Sequence, residues 1–303
     1  MSSQAAAQPL VSIVVATYNG AKYIESQMDS LIAQTYPNTE IIVVDDRSTD
    51  NTLAILERYA RQYPHVHVYE NEVNLGYIKN FEKGVTLSKG SYISFSDQDD
   101  VWVPEKTTEL MAAIGDYPMI TSDSEIVNDQ LEKRWNHSDL KEIQNFDNPL
   151  VFATDNCVAG HALIMKKEIA DAAIPFPDMP HDLWLGFFTT LHGTIKYLDK
   201  PFVKWRQHGN NVTSKHTGTK KRIDATKFRL MTFRDYCPPA FAKEKKVFAE
   251  LLETYESYSL IHNFNRMRLY FAYKKYLLAM KKRNAFRKFL FCIKMFFKMR
   301  EHP

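Results

Sequence analysis

Leu10-Val11-Ser12-Ile13-Val14-Val15-Ala16 and, further on, Glu40-Ile41-Ile42-Val43-Val44-Asp45-Asp46 decide the fold. Each is a nearly unbroken apolar run rich in β-branched residues, the pattern of a strand buried on both faces of a sheet. Between them, Ile24, Met28, Leu31 and Ile32 recur at helical spacing within Ala21 to Gln34. The alternation continues with a helix from Asp50 to Tyr63, Asp50 being the expected N-cap, and a strand from Val66 to Glu70. A helix from Asn74 to Ser88, stopped by Gly90, leads to a strand from Ser91 to Ser96. Strands alternating with helices specify βαβ units, and therefore an α/β fold with a mostly parallel central sheet. Right-handed crossovers would cover both faces of that sheet.

From Tyr117 to Trp205 the pattern is mixed. Short strands are expected at Met119 to Thr121, His161 to Lys166 and Lys204 to Gln207, around a helix from His181 to His192. Beyond Lys220 the chain reads as helical, with a break at Pro238-Pro239 and two long basic helices from Leu260 to Arg300. The expected division is a catalytic-type α/β domain over 1–220 and a basic helical region over 221–303.

The 303 residues are 45% hydrophobic and 25% charged, which excludes wholesale disorder and a fibrous repeat. Cys157, Cys237 and Cys292 form no CxxC pair or zinc-finger spacing, so neither a disulfide framework nor a zinc site is expected, and a reducing compartment fits. Met1 to Pro9 lacks a basic-then-apolar leader, and no apolar run approaches the ~18 residues a spanning helix needs. The net charge of +3 is unevenly spread: Arg266 to Pro303 holds twelve Lys/Arg against Glu301, or +11, which leaves 3 − 11 = −8 for the rest. A basic tail on an acidic body points to an anionic surface as partner.

Ligands in open α/β sheets bind beyond the carboxyl ends of strands. The first such end, Thr17-Tyr18-Asn19-Gly20, is not GxGxxG, which disfavours a dinucleotide site. The second offers Asp45 and Asp46, able to bind a nucleobase N–H or ribose hydroxyls, or to serve only as turn residues. The fourth is Ser96-Asp97-Gln98-Asp99-Asp100-Val101-Trp102. Strand alternation would point Asp97 and Asp99 the same way. Crowded carboxylates repel unless solvated or neutralised, and Mg²⁺ or Mn²⁺ can take such oxygens while leaving positions for phosphate.

Taken in order, Val11 to Asn19, Gln34-Thr35-Tyr36, Glu40 to Asp50, Asn74-Leu75-Gly76 and the acidic cluster resemble the family 2 glycosyltransferases, which have a GT-A fold. The resemblance covers roughly the first 115 residues, and the cluster looks like that of bacterial rhamnosyltransferases and other surface-polysaccharide enzymes. It implies that Thr17 and Tyr18 line a nucleotide pocket, and that Asp46 accepts from a pyrimidine N3–H. Asn74, Lys79 and Asn80 fall in the segment that approaches the nucleotide; Lys79 would face the diphosphate or be a solvated helix lysine. Asp97 and Asp99 form the DxD pair, Asp99 on the metal and Asp97 on the ribose or sugar side. Asp182, in Pro180-His181-Asp182-Leu183-Trp184-Leu185, matches the family's catalytic base, with helix capping as the plain alternative. Trp184 would stack on a sugar or fill core. Similarity to Arg-x-His-x-x-Asn segments implies that His208 is a metal ligand or touches the diphosphate, and that Arg206 pairs with phosphate. Asn211-Val212-Thr213 fits a glycosylation sequon and is read as a chance match.

Phe286, Phe289, Leu290, Ile293 and Phe297 make an apolar helix face, with Arg287, Lys288, Lys294 and Lys298 largely off it. Such a helix lies in a membrane interface, or packs on its own domain or a homodimer partner. The expected function is therefore an inverting, Mg²⁺- or Mn²⁺-dependent glycosyltransferase. It would move a sugar from dTDP-rhamnose or a UDP-sugar to a saccharide or lipid-linked acceptor in surface polysaccharide synthesis. Its expected place is cytoplasmic, peripheral on the inner face of the membrane, with no nucleic-acid partner. A UDP-hexose or UDP-N-acetylhexosamine transferase is the alternative, and a non-catalytic basic binding protein the rival.

Overall fold

In a computed structural model of the chain, residues 8–209, 219–257 and 259–297 are described, with backbone only at 219–221. The sequon at Asn211 and the basic residues Lys298 and Arg300 lie outside them. The first half runs β1 (Val11–Thr17), α1 (Ile24–Ile32), β2 (Thr39–Asp45), α2 (Thr52–Gln62), β3 (Val66–Glu70), α3 (Tyr77–Leu87), β4 (Tyr92–Ser96), β5 (Val101–Trp102) and α4 (Lys106–Ile114). Then follow β6 (Met119–Val127), β7 (Lys133–Asn136), α5 (His137–Leu140), β8 (Leu163–Lys166), α6 (Lys167–Ala172), α7 (His181–Thr190) and β9 (Ile195–Arg206). The helical remainder is α8 (Thr219–Tyr236), α9 (Ala242–Glu253), α10 (Leu260–Ala272), α11 (Lys274–Leu277) and α12 (Ala285–Phe297).

One sheet has the order β3-β2-β1-β4-β8-β6-β9-β5, with β7 added on β6. Its first four positions are parallel, as the βαβ pattern requires. The mixed region then inserts β8 antiparallel between β4 and β6, while β9 returns parallel to β6. The short strand expected at Met119 is the start of the nine-residue β6, and the segment at Lys204 is the end of the twelve-residue β9.

β1 reads as a continuous apolar run because it is buried on both faces. Ile13 and Val15 pack with Met28, Leu31 and Leu56 under α1 and α2, while Val14 faces Phe81, Val85 and Phe95 on the other side. That second cluster continues without a break through α7 (Trp184, Phe187) into α8, α9, α10 and α12 (Phe233, Phe248, Leu269, Cys292). The apolar core therefore runs across residue 220. Phe187 and Phe233 stack at 3.9 Å between ring centroids, and Phe248 packs edge-on against both. Phe248→Ala, which removes a fully buried ring, is expected to cost about 3–5 kcal/mol. The loss should appear as a lower melting temperature for the whole chain; a separate transition confined to the C-terminal helices would contradict the shared core.

Candidate functional site

The carboxyl ends of β1, β2 and β4 lie side by side in the sheet. At the β2 end Asp45 is fully buried and accepts from the Thr17 hydroxyl at 2.8 Å and from the Ser48 backbone N–H at 2.8 Å. Thr17 is thus spent on shaping the β1–β2 edge. Asp46, also buried, accepts from the backbone N–H groups of Leu75 and Gly76, each at 2.8 Å, and from Asn71 Nδ2 at 2.8 Å. Asn74 donates to the Asp46 carbonyl at 3.0 Å. Asp46 therefore pins the loop before α3, and this is why the helix starts at Tyr77 rather than Asn74. Gly76 takes φ 80° there, where a side chain would be strained.

Asn80 is buried, donating to Val44 O at 2.7 Å and accepting from Asn71, so it braces the sheet end. Lys79 turns away from the strand ends, to Glu82 at 2.8 Å and Phe176 O at 3.0 Å. Tyr18 is half exposed, and its backbone N–H and carbonyl are both held by the Gln98 amide, at 2.9 and 3.1 Å. A Cβ on Gly20 would meet Gln98 Oε1 at 2.3 Å, so the glycine permits this clasp between the β1 and β4 ends.

β4 ends at Ser96, and Asp97 to Asp100 form a turn, so strand alternation does not govern which carboxylates face together. The turn sorts them differently. Asp99 Oδ2 lies 2.8 Å from His208 Nε2, whose ring stacks on Tyr23 at 4.7 Å. Asp97 and Asp100 instead flank His161 Nδ1, at 3.6 and 3.3 Å, and one ligand atom from each of these three lies within 4.8 Å of the others. His161 Nε2 is 3.0 Å from the Ser124 hydroxyl. Burial, then the charge of Asp97, raises the Asp99 carboxyl above its ordinary value. Burial, then Asp99 and Asp97, raises that of Asp100 well above it.

Asp100 Oδ2 is buried with no hydrogen-bond partner among the described residues. An orphaned carboxylate oxygen beside an imidazole nitrogen and a second carboxylate is a donor set that suits a hard divalent cation. The residues present therefore fit such an ion: Asp97, Asp100 and His161 would hold it, with Asp99 and His208 adjoining.

Arg206 is almost fully buried. It donates through its backbone N–H to Asp100 Oδ1 at 2.9 Å and through Nε to Asp99 O at 2.7 Å, and through Nη1 to Asp129 O, with its guanidinium over the Tyr23 ring. Its backbone N–H and Nε brace the acidic turn, and its Nη1 ties that turn to Asp129. Beneath the turn, buried Lys106 sits over the Trp102 ring, and burial holds its amine well below the usual lysine range.

Asp182 stands in the first turn of α7, two residues past the Pro180 cap position. Its Oδ1 accepts from the Leu183 N–H at 2.7 Å, and the Gly160 backbone lies beside it. Burial pushes its carboxyl up to about 7, with Asp97's charge adding to the rise, and the Leu183 and Gly160 N–H groups opposing. A carboxyl near 7 is matched to taking a proton at neutral pH. The short turn Gly160–Ala162 thus ties two parts together: Gly160 supports Asp182, and His161 enters the acidic cluster. His181 lies between them, buried against Phe81 at 4.1 Å, and neither of its ring nitrogens has a partner among the described residues. Burial keeps it neutral, lowering its pKa to about 4. Trp184 is core, its Nε1 donating to Ala173 O at 2.9 Å.

Sequence reasoning passed over Gln98, His161 and His181 and gave Asp100 no role. Gln98 and Asp100 lie inside the quoted cluster and were open to notice. His161 has no signal in spacing, because it is the turn leading into β8, placed by the pairing of β8 with β4, that brings it there.

The sequence matches glycosyl transferase family 2 over residues 12–172, more than half of the chain. An uncharacterized glycosyltransferase of Haemophilus influenzae is 31% identical over 229 residues, 68% of each chain. The dTDP-rhamnosyl transferase RfbG of Shigella flexneri is 34% identical over 209 residues, 65% of this chain and 72% of RfbG. Among solved structures, S. aureus TarS 1-349 in complex with UDP-GlcNAc superposes with a TM-score of 0.61 at 19% identity, over 95% of this chain and 80% of that one. The chain covers only 45% of the longer TarS chain. A mannosyltransferase from Pyrobaculum calidifontis in complex with GDP-Man and Mn²⁺ gives a TM-score of 0.56 at 18% identity, over 88% of this chain and 76% of that one. These likenesses share the GT-A-like architecture, and with the family match and its extent they establish that this chain belongs to glycosyl transferase family 2 and is a glycosyltransferase.

Proposed function

We propose that the chain transfers a sugar, with inversion, from dTDP-rhamnose or a UDP-sugar to a saccharide or lipid-linked acceptor in bacterial surface polysaccharide synthesis. The observation that carries this is the meeting of Asp182 with the Asp97–Asp100 turn through Gly160 and His161. The rhamnosyl donor is favoured by the likeness to RfbG over 65% of the chain.

In this reading the nucleotide lies across the β1, β2 and β4 ends, against Tyr18 and the loop pinned by Asp46. Asp182 takes the proton of the acceptor hydroxyl. The freed oxygen forms a bond to the anomeric carbon from the face opposite the leaving group. The bond from that carbon to the diphosphate breaks, and its electron pair leaves on the nucleoside diphosphate, so no covalent enzyme intermediate arises. A divalent cation supplies positive charge to the departing diphosphate when bound. Asp97, Asp100 and His161 are the side chains placed to hold it, and Arg206 keeps their turn in shape. The enzyme works as a peripheral protein on the inner membrane face, where a lipid-linked acceptor would be reached.

Thermal shift against dTDP-rhamnose, UDP-glucose, UDP-GlcNAc and GDP-mannose, each with Mn²⁺, tests the donor. A ligand at 100 times its Kd adds about 2.7 kcal/mol to stability, so dTDP-rhamnose should raise the melting temperature by several degrees. A shift with a UDP-sugar alone would select the alternative donor, and no shift with any nucleotide sugar would overturn the reading.

A further inference from the structure

Among the described residues, the large apolar side chains that stand exposed concentrate on two helices. α10 exposes Leu260, Ile261 and Phe264, and α12 exposes Phe286, Phe289, Leu290 and Phe297; Ile261 and Phe286 are each 67% accessible. Only the α12 face is legible as an amphipathic helix in the sequence. The opposite side of each helix is committed to the core through Leu269, Tyr270, Cys292 and Met295. One face of α12 thus packs within the protein, and its other apolar face is left exposed.

The two exposed faces are one surface. α10 and α12 pack antiparallel, Arg266 against Met295 and Phe271 against Phe289, the latter pair with ring centroids 5.3 Å apart. Phe264 and Phe271 are seven residues apart, two helical turns, and so share a stripe of α10. The Phe271–Phe289 contact thus joins that stripe to the apolar face of α12. Buried Arg266 locks the pair: its Nε donates to Met295 O at 3.0 Å, Nη1 to Thr254 O at 2.7 Å and Nη2 to Asn263 Oδ1. Contiguous exposed apolar surface of this kind marks an interaction site.

Charge selects the occupant. Leu260 to Phe297 contains ten Lys/Arg and no Asp or Glu; Arg266 is buried and Lys281 pairs with Asp155, which leaves eight others to set the charge of this region. A second copy seated face to face would bring two such sets together across a low-dielectric contact, which like-charge repulsion opposes. A sheet of anionic headgroups supplies the missing charge, while the rings enter the acyl boundary. No helix among the described residues is long and apolar enough to cross a membrane. We propose that the α10–α12 pair is a preformed two-helix docking face for an anionic phospholipid surface. This rests on the peripheral placement proposed above and names the surface that makes it.

The test is sedimentation of the full chain with vesicles of phosphatidylcholine alone and of phosphatidylcholine mixed with phosphatidylglycerol. Binding should favour the mixed vesicles and weaken with added salt. Ile261→Glu on α10 and Phe286→Glu on α12 should each lower affinity about ten-fold, with the melting temperature unchanged because both side chains are exposed. Ile261→Ser and Phe286→Ser repeat the comparison if a glutamate variant fails to fold. Equal binding to neutral vesicles would overturn the anionic assignment. Wild-type binding by the α10 variants would overturn the two-helix face. A concentration-dependent dimer dissolved by Phe286→Glu, with no vesicle binding, would assign the face to a second copy. Donor-induced thermal shift is read in the same samples, so failure of the wild-type chain to bind either vesicle, with donor binding intact, overturns the docking face alone.

Discussion

Asp182→Asn is expected to lower kcat by about 10²- to 10⁴-fold, the range for loss of a general base, while donor-induced thermal stabilisation persists. The amide keeps the size of the carboxyl, and its oxygen can still accept from the Leu183 N–H that holds it. What it cannot do is take a proton. The same carboxyl sets a pH signature. Burial raises it to about 7, so the basic form needed for catalysis is lost as pH falls through that value. In wild type, kcat/KM should rise with pH through about 7 and then level. An acid limb near the ordinary aspartate value, or near-normal turnover by the Asn variant, would assign the base to another residue.

Chelation is expected to be at least as damaging. Neutralising charge on a leaving diphosphate is worth several kcal/mol, on the order of 10³-fold in rate. EDTA should remove that activity, and Mn²⁺ or Mg²⁺ restore it. The tertiary grouping makes a sharper expectation about which side chains hold the ion. Asp100→Asn and His161→Ala should each weaken Mn²⁺ binding by about ten-fold or more, measured by calorimetric titration without substrate, because each removes a ligand atom from the cluster. If Asp99→Asn and His208→Ala weaken Mn²⁺ binding while the Asp100 and His161 variants do not, the ion sits on the other side of the turn. Full activity in chelator would remove the metal from the mechanism.

Local pattern carried the site's outline. The apolar run of β2 ending in Asp45-Asp46, and that of β4 ending in Asp97, are legible because a strand buried on both faces leaves its polar residues at the tip. The direction of each side chain at those tips was not legible. Arg206 and Lys79 carry the right charge for a diphosphate, yet Arg206 directs Nε to Asp99 O and Nη1 to Asp129 O, and Lys79 reaches Glu82 and Phe176 O. A sequence shows that a cation is present but not which carbonyls will compete for it.

The same limit applies at larger scale. Heptad-like spacing in α12 shows that the helix has an apolar face. It does not show that Cys292 and Met295 enter the core while Phe286 and Leu290 stay exposed, since that depends on where α10 lands.

The sequence by itself determined the βαβ half of the sheet, the strand-end carboxylates and the basic, amphipathic character of the tail. All are set by neighbours within a few residues, where period and propensity act. Only the tertiary structure decided that His161 joins Asp97 and Asp100, that Gly160 supports Asp182, and that α10 and α12 share one surface. Those pairings depend on β8 inserting between β4 and β6 and on the core continuing into the C-terminal helices. Contacts between residues so far apart in the chain are chosen by burial and packing of the whole, and they leave no periodic trace in the sequence.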